Sequence, residues 1–317
     1  MIAIVLIAIA AGCASALMFA SIVSGALISL LLFYLAPLPL MVAALGWGAL
    51  SATIGGIAAA TVLGAIFGLP YCVAFVVAAA LPAWWLGHLA LLGRPLTTGI
   101  QTADNAAALE WYPVGRILLW IVIFATLMIT ATLLTMGSDG PSITGTMRSA
   151  WRQLLETVGV TANDRTLDAL VAIAPAAAAI FVTMTLTLNL WLAAKITATS
   201  GRLHRPWPDL RSAALPPLTL AALCVAIAFC FSGGLLAILA QIVTAALLIA
   251  YALTGFAVLH TLTLALKNRA LWLTCTYAIV VIFSWPVLAM VVLGVADALL
   301  GIRQRYLQGR PPPLPAS

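Results

Sequence analysis

Few side chains in this sequence could do chemistry away from water, and they fall into two groups. The first is ionisable: His88, His260 and Asp297 sit within or at the ends of long apolar runs. A charge at membrane depth is costly and marks a functional position by default. Each has a simpler explanation too. His88 and Asp297 lie near the ends of their runs, where an interface or a nearby arginine solvates them. For Asp297 that arginine is Arg303 or Arg305. His260 is deep only if its helix is long, and a helix that ends before Lys267 leaves it interfacial.

The second group is uncharged. Gln241, Thr244 and Tyr251 share one helical stripe, which Thr254 and Thr261 extend. On another run Thr183 stacks on Thr187, and Thr185 on Asn189, at i,i+4 spacing. Asn189 and Gln241 are the amides placed well inside apolar runs. Such faces suit a cavity for a small polar solute, which makes Asn189, Gln241, Thr244, Tyr251 and His260 the candidate solute-facing residues. The alternative is hydrogen bonding between helices, common in membrane bundles and worth about 1 kcal/mol per bond.

Other chemistry is missing. There is no Gly-x-x-x-x-Gly-Lys-Ser/Thr phosphate loop, no His-Glu-x-x-His and no Gly-x-Ser-x-Gly elbow. The glutamates are Glu110 and Glu156, both in polar segments, so paired carboxylates for acid–base work are absent from the apolar runs. Cys13, Cys72, Cys224, Cys230 and Cys275 lie in apolar runs without a Cys-x-x-Cys pair and read as small hydrophobes. The expectation is a non-enzyme with no cofactor and no metal.

Composition sets the environment of these residues. The chain of 317 residues is 64% hydrophobic and 7% charged, with a mean hydropathy of +1.18. Soluble domains are about a quarter charged. The first 93 residues contain no Lys, Arg, Asp or Glu. A surface without charge cannot be presented to water, so the solvent must be a lipid bilayer. The net charge of +6 does not indicate nucleic acid, because the basic residues are spread over short loops and the tail. They fit loops held on the cytoplasmic side.

A bilayer core needs about 20 apolar residues per helix. Residues 2–34 form one long tilted helix or two short ones. After Pro37 and Pro39, a Gly-rich span covers 40–67. A third region ends near 92 and can kink at Pro82. Further spans follow at 113–136, 170–198, 218–231, 235–266 and 271–300. Between them, in 137–168, Ile143, Met147, Trp151, Leu154, Leu155 and Val158 recur at helical spacing opposite Arg148, Arg152 and Glu156. That is an amphipathic helix, lying in the interface or packed on the bundle. The expected fold is all-α: a polytopic transmembrane helix bundle of eight spans, or nine if the first region is two helices, with one interfacial amphipathic helix. It divides into a charge-free bundle (1–92), a loop plus span (93–136), the polar loop (137–168), a C-terminal bundle (169–300) and a basic, proline-rich tail (301–317). Small-xxx-small pairs such as Ala10 and Ala14 or Gly48 and Ala52 predict close packing in the first of these.

Sidedness is inconsistent. The loop at 202–211 and the turn at Lys267–Arg269 are basic and two spans apart, so both can be cytoplasmic. The tail with Arg303, Arg305 and Arg310 is basic too, yet one span separates it from Lys267. Either one of these assignments is wrong or one late segment fails to cross, with a re-entrant break at Gly255 as a candidate.

Three motifs in order carry a family resemblance: Glu110-Trp111-Tyr112-Pro113-Val114-Gly115-Arg116; Asn189-Leu190-Trp191-Leu192-Ala193 running on to Arg205-Pro206-Trp207-Pro208-Asp209-Leu210; and Leu293-Gly294 with Asp297. Together they resemble the YybS-like membrane proteins of bacteria (domain of unknown function 2232). That family is functionally uncharacterised and is thought to be distantly related to the substrate-binding S components of energy-coupling-factor transporters. The resemblance implies a bacterial inner-membrane protein that works with a transmembrane coupling subunit and ATPases. It also implies that Ala10 and Ala14, or Ala16 and Ala20, contact that subunit. S components typically have six spans, and the present count is higher.

The leading expectation is a transporter-type protein that binds a small solute and draws energy from a partner. The alternative is a non-transporting scaffold for cell-envelope or assembly machinery, docking through the amphipathic helix and the 202–211 loop. Candidate partner contacts are Ala10, Ala14, Arg202, Arg205, Trp207 and Asp209.

Overall fold

The computed structural model describes residues 2–95, 109–161 and 163–308. Arg310 and the proline run of the tail, and residues 96–108 of the first polar loop, lie outside them. Among the described residues, 7 helices are long and apolar enough to cross a membrane, and up to 8 if one sharply bent pair counts as a span. The chain is an all-α, polytopic bundle. It forms two compact units, one of Met1–Met128 with Phe181–Pro208 and one of Ile129–Ile180 with Asp209–Ser317.

The first unit opens with α1 (Ile2–Ala20), prolonged by a 3-10 turn at Ser21–Ser24. Gly25 ends it at φ +67, in the left-handed region that glycine enters without penalty. Next come α2 (Leu27–Tyr34) and α3 (Pro37–Trp47), then α4 (Ala49–Phe67). Residues 2–34 are therefore two separate spans, and the second runs through the prolines as Leu27–Trp47. The expected break at Pro37 and Pro39 is only an interruption, because Ala36 keeps right-handed helical angles and Pro37 starts the next helix. The true reversal is at Gly48, at φ +91.

After Gly68, α5 (Leu69–Phe75) passes through a π-helical turn, Val76–Ala80, into α6 (Leu81–Ala90). A short antiparallel hairpin follows, β1 (Gly93–Pro95) with β2 (Leu109–Trp111), pairing Arg94 with Glu110. The long helices α7 (Val114–Met136) and α9 (Asp164–Thr199) contribute to both units.

Close approach holds the first unit together. A Cβ on Gly12 would collide with the backbone of Gly55, and one on Gly55 with that of Ala8, so α1 and α4 touch backbone to backbone. Phe19, Leu40, Met41, Phe75, Leu86 and Ile121 fill the core.

In the second unit α8 (Gly140–Thr157) is the expected amphipathic helix. Asp139 caps it in a reciprocal pair with Ser142, which holds the aspartate carboxyl below its usual range. Ile143 and Met147 are buried, whereas Leu154 and Val158 are exposed. Then come α10 (Leu218–Phe229), α11 (Gly234–Leu262), α12 (Arg269–Phe283), α13 (Val287–Leu300) and α14 (Ile302–Gln308).

Three sequence expectations change here. Residues 218–231 give a helix of 12 residues, short for a bilayer. Residues 271–300 are not one span, because the chain breaks at Ser284 (φ +56) and Pro286 into α12 and α13. α11 is continuous through Gly255, so no re-entrant break occurs there. The glycine serves packing instead: its missing Cβ leaves room for the Met290 carbonyl, and Gly294 meets the backbone of Tyr251 in the same way. Gly255 and Gly294 thus mark the point where α11 and α13 cross in backbone contact.

These contacts are with backbone and cannot be relieved by a rotamer change. Gly255→Ala should cost about 1–3 kcal/mol through overpacking. Gly145→Ala, on the exposed face of α8 with nothing nearby, should gain about 0.5–1 kcal/mol from helix propensity. Thermal melts of both variants in one detergent check the opposite signs.

Candidate functional site

The interruption between α2 and α3 follows from its prolines. Neither Pro37 nor Pro39 has an N–H, so the ladder tightens: Ala36 N–H donates to Phe33 O at 3.2 Å and Leu38 N–H to Leu35 O at 2.9 Å. The Tyr34 carbonyl loses the Leu38 N–H that a regular helix would give it. In lipid a freed carbonyl must find a donor within the protein. Asn189, fully buried on α9, supplies it: Nδ2 donates to Tyr34 O and to Thr185 O, both at 2.9 Å. Ser15 of α1, also buried, donates to Ala36 O at 2.6 Å.

The amide geometry fixes its own orientation. Reversing it would set Oδ1 against two carbonyl oxygens. With Nδ2 so engaged, Asn189 Oδ1 is buried and has no partner, an arrangement that costs about 1–3 kcal/mol unless a donor arrives. Trp85 Nε1 and Thr126 Oγ1 share this condition in the first unit.

A cavity of about 60 Å3 lies beside the clasp, lined by Phe19, Tyr34, Pro37, Ala79, Thr185 and Leu186 among others. Both carbonyl partners of Asn189 belong to residues of its wall. So does Ala79, from the π-helical turn. That turn has a local cause: Pro82 has no N–H and its ring crowds the preceding turn, and the Leu81 N–H reaches back five residues to Val76 O. Two backbone irregularities on separate helices thus meet at one cavity. π turns recur at functional sites.

The other solute-facing candidates belong to the second unit. Tyr251 is buried, its hydroxyl 2.8 Å from Thr219 Oγ1. Thr244 Oγ1 is 3.5 Å from Cys230 Sγ, and Gln241 is half-buried. Thr254 and Thr261 donate to carbonyls of their own helix. His260 falls in the last turn of α11, the interfacial alternative, with Nε2 at 2.8 Å from Tyr277 Oη and Arg269 at 3.5 Å from Nδ1. Asn189 is in the first unit and these residues are in the second.

The partner-contact candidates also separate. Ala10 is exposed on α1 and Ala14 half-buried, whereas Ala16 is buried. Asp209 is engaged by Arg211 at 2.8 Å, a hydrogen bond that holds its carboxyl below the usual range. Arg205 donates to Ala90 O at 3.1 Å, and burial lowers its pKa without discharging it. Arg202 and Trp207 are exposed.

The most occupied ionic site is one that the sequence named only in part. Asp297 pairs with Arg303 at 2.7 Å, with both side chains about nine-tenths buried. Arg303 also donates to the carbonyls of Arg211 and Ala213, and Tyr306 donates to Leu262 O. Arg303, Arg211 and Arg269 therefore gather around the C-terminal part of α11, with Arg211 in electrostatic reach of His260. The sidedness conflict disappears: two helices, α12 and α13, separate Lys267 from Arg303 and return the chain to the same end of the unit.

The fold defines a multi-pass helical membrane protein. No protein-family model, curated protein or solved structure matches the chain.

Removing one member of the buried pair strands the other. Arg303→Met alone should cost about 3–5 kcal/mol, and the double change with Asp297→Leu clearly less. Melting of the two single variants and the double variant gives the coupling directly.

Proposed function

We propose that this chain is a solute-binding membrane protein of the S-component type, a member of the YybS-like family that it resembles. It would sit in a bacterial inner membrane and draw its energy from a coupling subunit and ATPases. The observation that carries the reading is the convergence in the first unit. A proline interruption and a π turn contribute to the wall of one cavity, and the unpaired Asn189 amide oxygen belongs to a side chain whose two carbonyl partners, Tyr34 and Thr185, are also in that wall. Interrupted helices whose freed backbone groups face a cavity are how membrane transporters build solute sites.

The helix count supports it. The first unit draws on six of the candidate spans: Ile2–Ser24, Leu27–Trp47, Ala49–Phe67, Leu69–Ala90 and parts of Val114–Met136 and Asp164–Thr199. Six is the usual S-component number, and the extra helices fall in the second unit. A cavity of about 60 Å3 holds a few waters, whereas drug-sized ligands need about 300 Å3 or more. Loading a larger solute therefore requires the α2–α3 interruption or the π turn to open. Asn189 Oδ1 would accept from an N–H or O–H of that solute, and the aromatic wall of Phe19, Phe33 and Tyr34 would pack on its apolar part.

The test is affinity purification from native membranes. A coupling subunit with an ATPase pair should come with the wild-type chain and be lost with Ala10→Leu plus Ala14→Leu, while the melting point of the purified chain stays put. In a thermal-shift screen of small polar solutes, a stabilising hit should vanish in Asn189→Ala. Envelope-assembly proteins in the eluate, with no ATPase, would favour the scaffold instead.

A further inference from the structure

The first unit has a second feature, at the end where α3, α6 and α9 finish and α7 begins. Three cations there lie over tryptophan rings. Lys195 Nζ is 5.4 Å from the centre of Trp207, Arg202 Cζ is 5.6 Å from that of Trp47, and Arg205 Cζ is 5.9 Å from that of Trp111. Lys195 lies in the last two turns of α9, and Arg202 and Arg205 follow in the loop after it. Gly46, beside Trp47, packs against Thr197 and against Arg202 Cβ, and Arg205 bonds the Ala90 carbonyl at the end of α6.

We propose that this patch binds the headgroup of an anionic phospholipid, with Lys195 and Arg202 holding its phosphate. Charge decides the occupant. Among the described residues the unit holds the cations Arg94, Arg116, Lys195, Arg202 and Arg205 against one carboxylate, Glu110, which Arg94 takes at 2.7 Å. Asp209, the first acid after Arg205 in the sequence, is paired with Arg211.

A ring contacts one side of a cation and leaves N–H donors on its other sides for an anion, up to five on a guanidinium and three on an ammonium. Arg205 uses one of them on Ala90. Lys195 and Arg202 are exposed and bond no carboxylate among the described residues. Tryptophan sits at the headgroup level of a bilayer, and adjacent cations there attract anionic lipid. Trp47 and Trp207 thus set the height of the cations at the lipid phosphates. Helix C-termini repel an anion, so cations beyond the Arg205 that caps α6 are needed to bind one.

The experiment titrates the purified full-length chain in a neutral detergent with phosphatidylglycerol or phosphatidylcholine and reads the melting midpoint. Phosphatidylglycerol should raise the midpoint at concentrations where phosphatidylcholine has no effect. Lys195→Gln should need roughly fivefold more phosphatidylglycerol, and Lys195→Gln with Arg202→Gln about 30-fold more, with the lipid-free midpoint of the single variant unchanged. Equal stabilisation by the two lipids, or an unshifted phosphatidylglycerol response in Lys195→Gln, overturns the proposal. Soluble glycerol phosphate is the last arm: if it reproduces the shift, the ligand is a free phosphate and not a lipid.

Discussion

A backbone carbonyl freed at a helix end inside a bilayer has no water to turn to, and much of the structure supplies such carbonyls with donors from the chain itself. Asn189 serves Tyr34 at the end of α2, and Tyr71 serves Phe19 near the end of α1 at 3.2 Å. Arg205 serves Ala90 at the end of α6, and Tyr306 serves Leu262 at the end of α11. Arg303 collects two loop carbonyls while it neutralises Asp297. Each donor comes from a distant part of the sequence. The scarce polar side chains of this chain are mostly committed to its own backbone.

That commitment explains what was legible in the sequence. Helices and their apolar character are local properties, so composition and run length found them. Asp297 with Arg303 was legible because the two are close in sequence. The Asn189 clasp was not. Its position on a run of stacked polar residues was visible, but its partner is 155 residues away and is a backbone oxygen, which carries no sequence signature. The helix ends were misjudged for a related reason. Proline looks like a stop, yet Pro37 opens a helix, whereas Gly48, inside a stretch read as one span, stops a helix because it accepts positive φ. A glycine in an Ala- and Gly-rich run gives no sign whether it turns the chain or, like Gly255, admits a neighbouring backbone.

The basic residues tell a similar story. Lys195 on α9 and Arg202 and Arg205 in the loop after it have Trp207 close by in sequence but no run of alternating basic and aromatic residues. Folding supplies the pairing by setting Lys195, Arg202 and Arg205 over tryptophans, two of which lie far away along the chain. The amphipathic helix was read correctly as a helix, but its apolar residues divide between burial at Ile143 and Met147 and exposure at Leu154 and Val158.

The glycine reversals have a consequence for how the protein enters a membrane. α1 to α6 fold back at Gly25, Gly48 and Gly68 without a single charged residue, so these four passes offer an insertion machine nothing by which to orient them. Four is an even number, so the start of α1 must finish on the same side as Arg94. Arg94 therefore reports the sidedness of all four passes together.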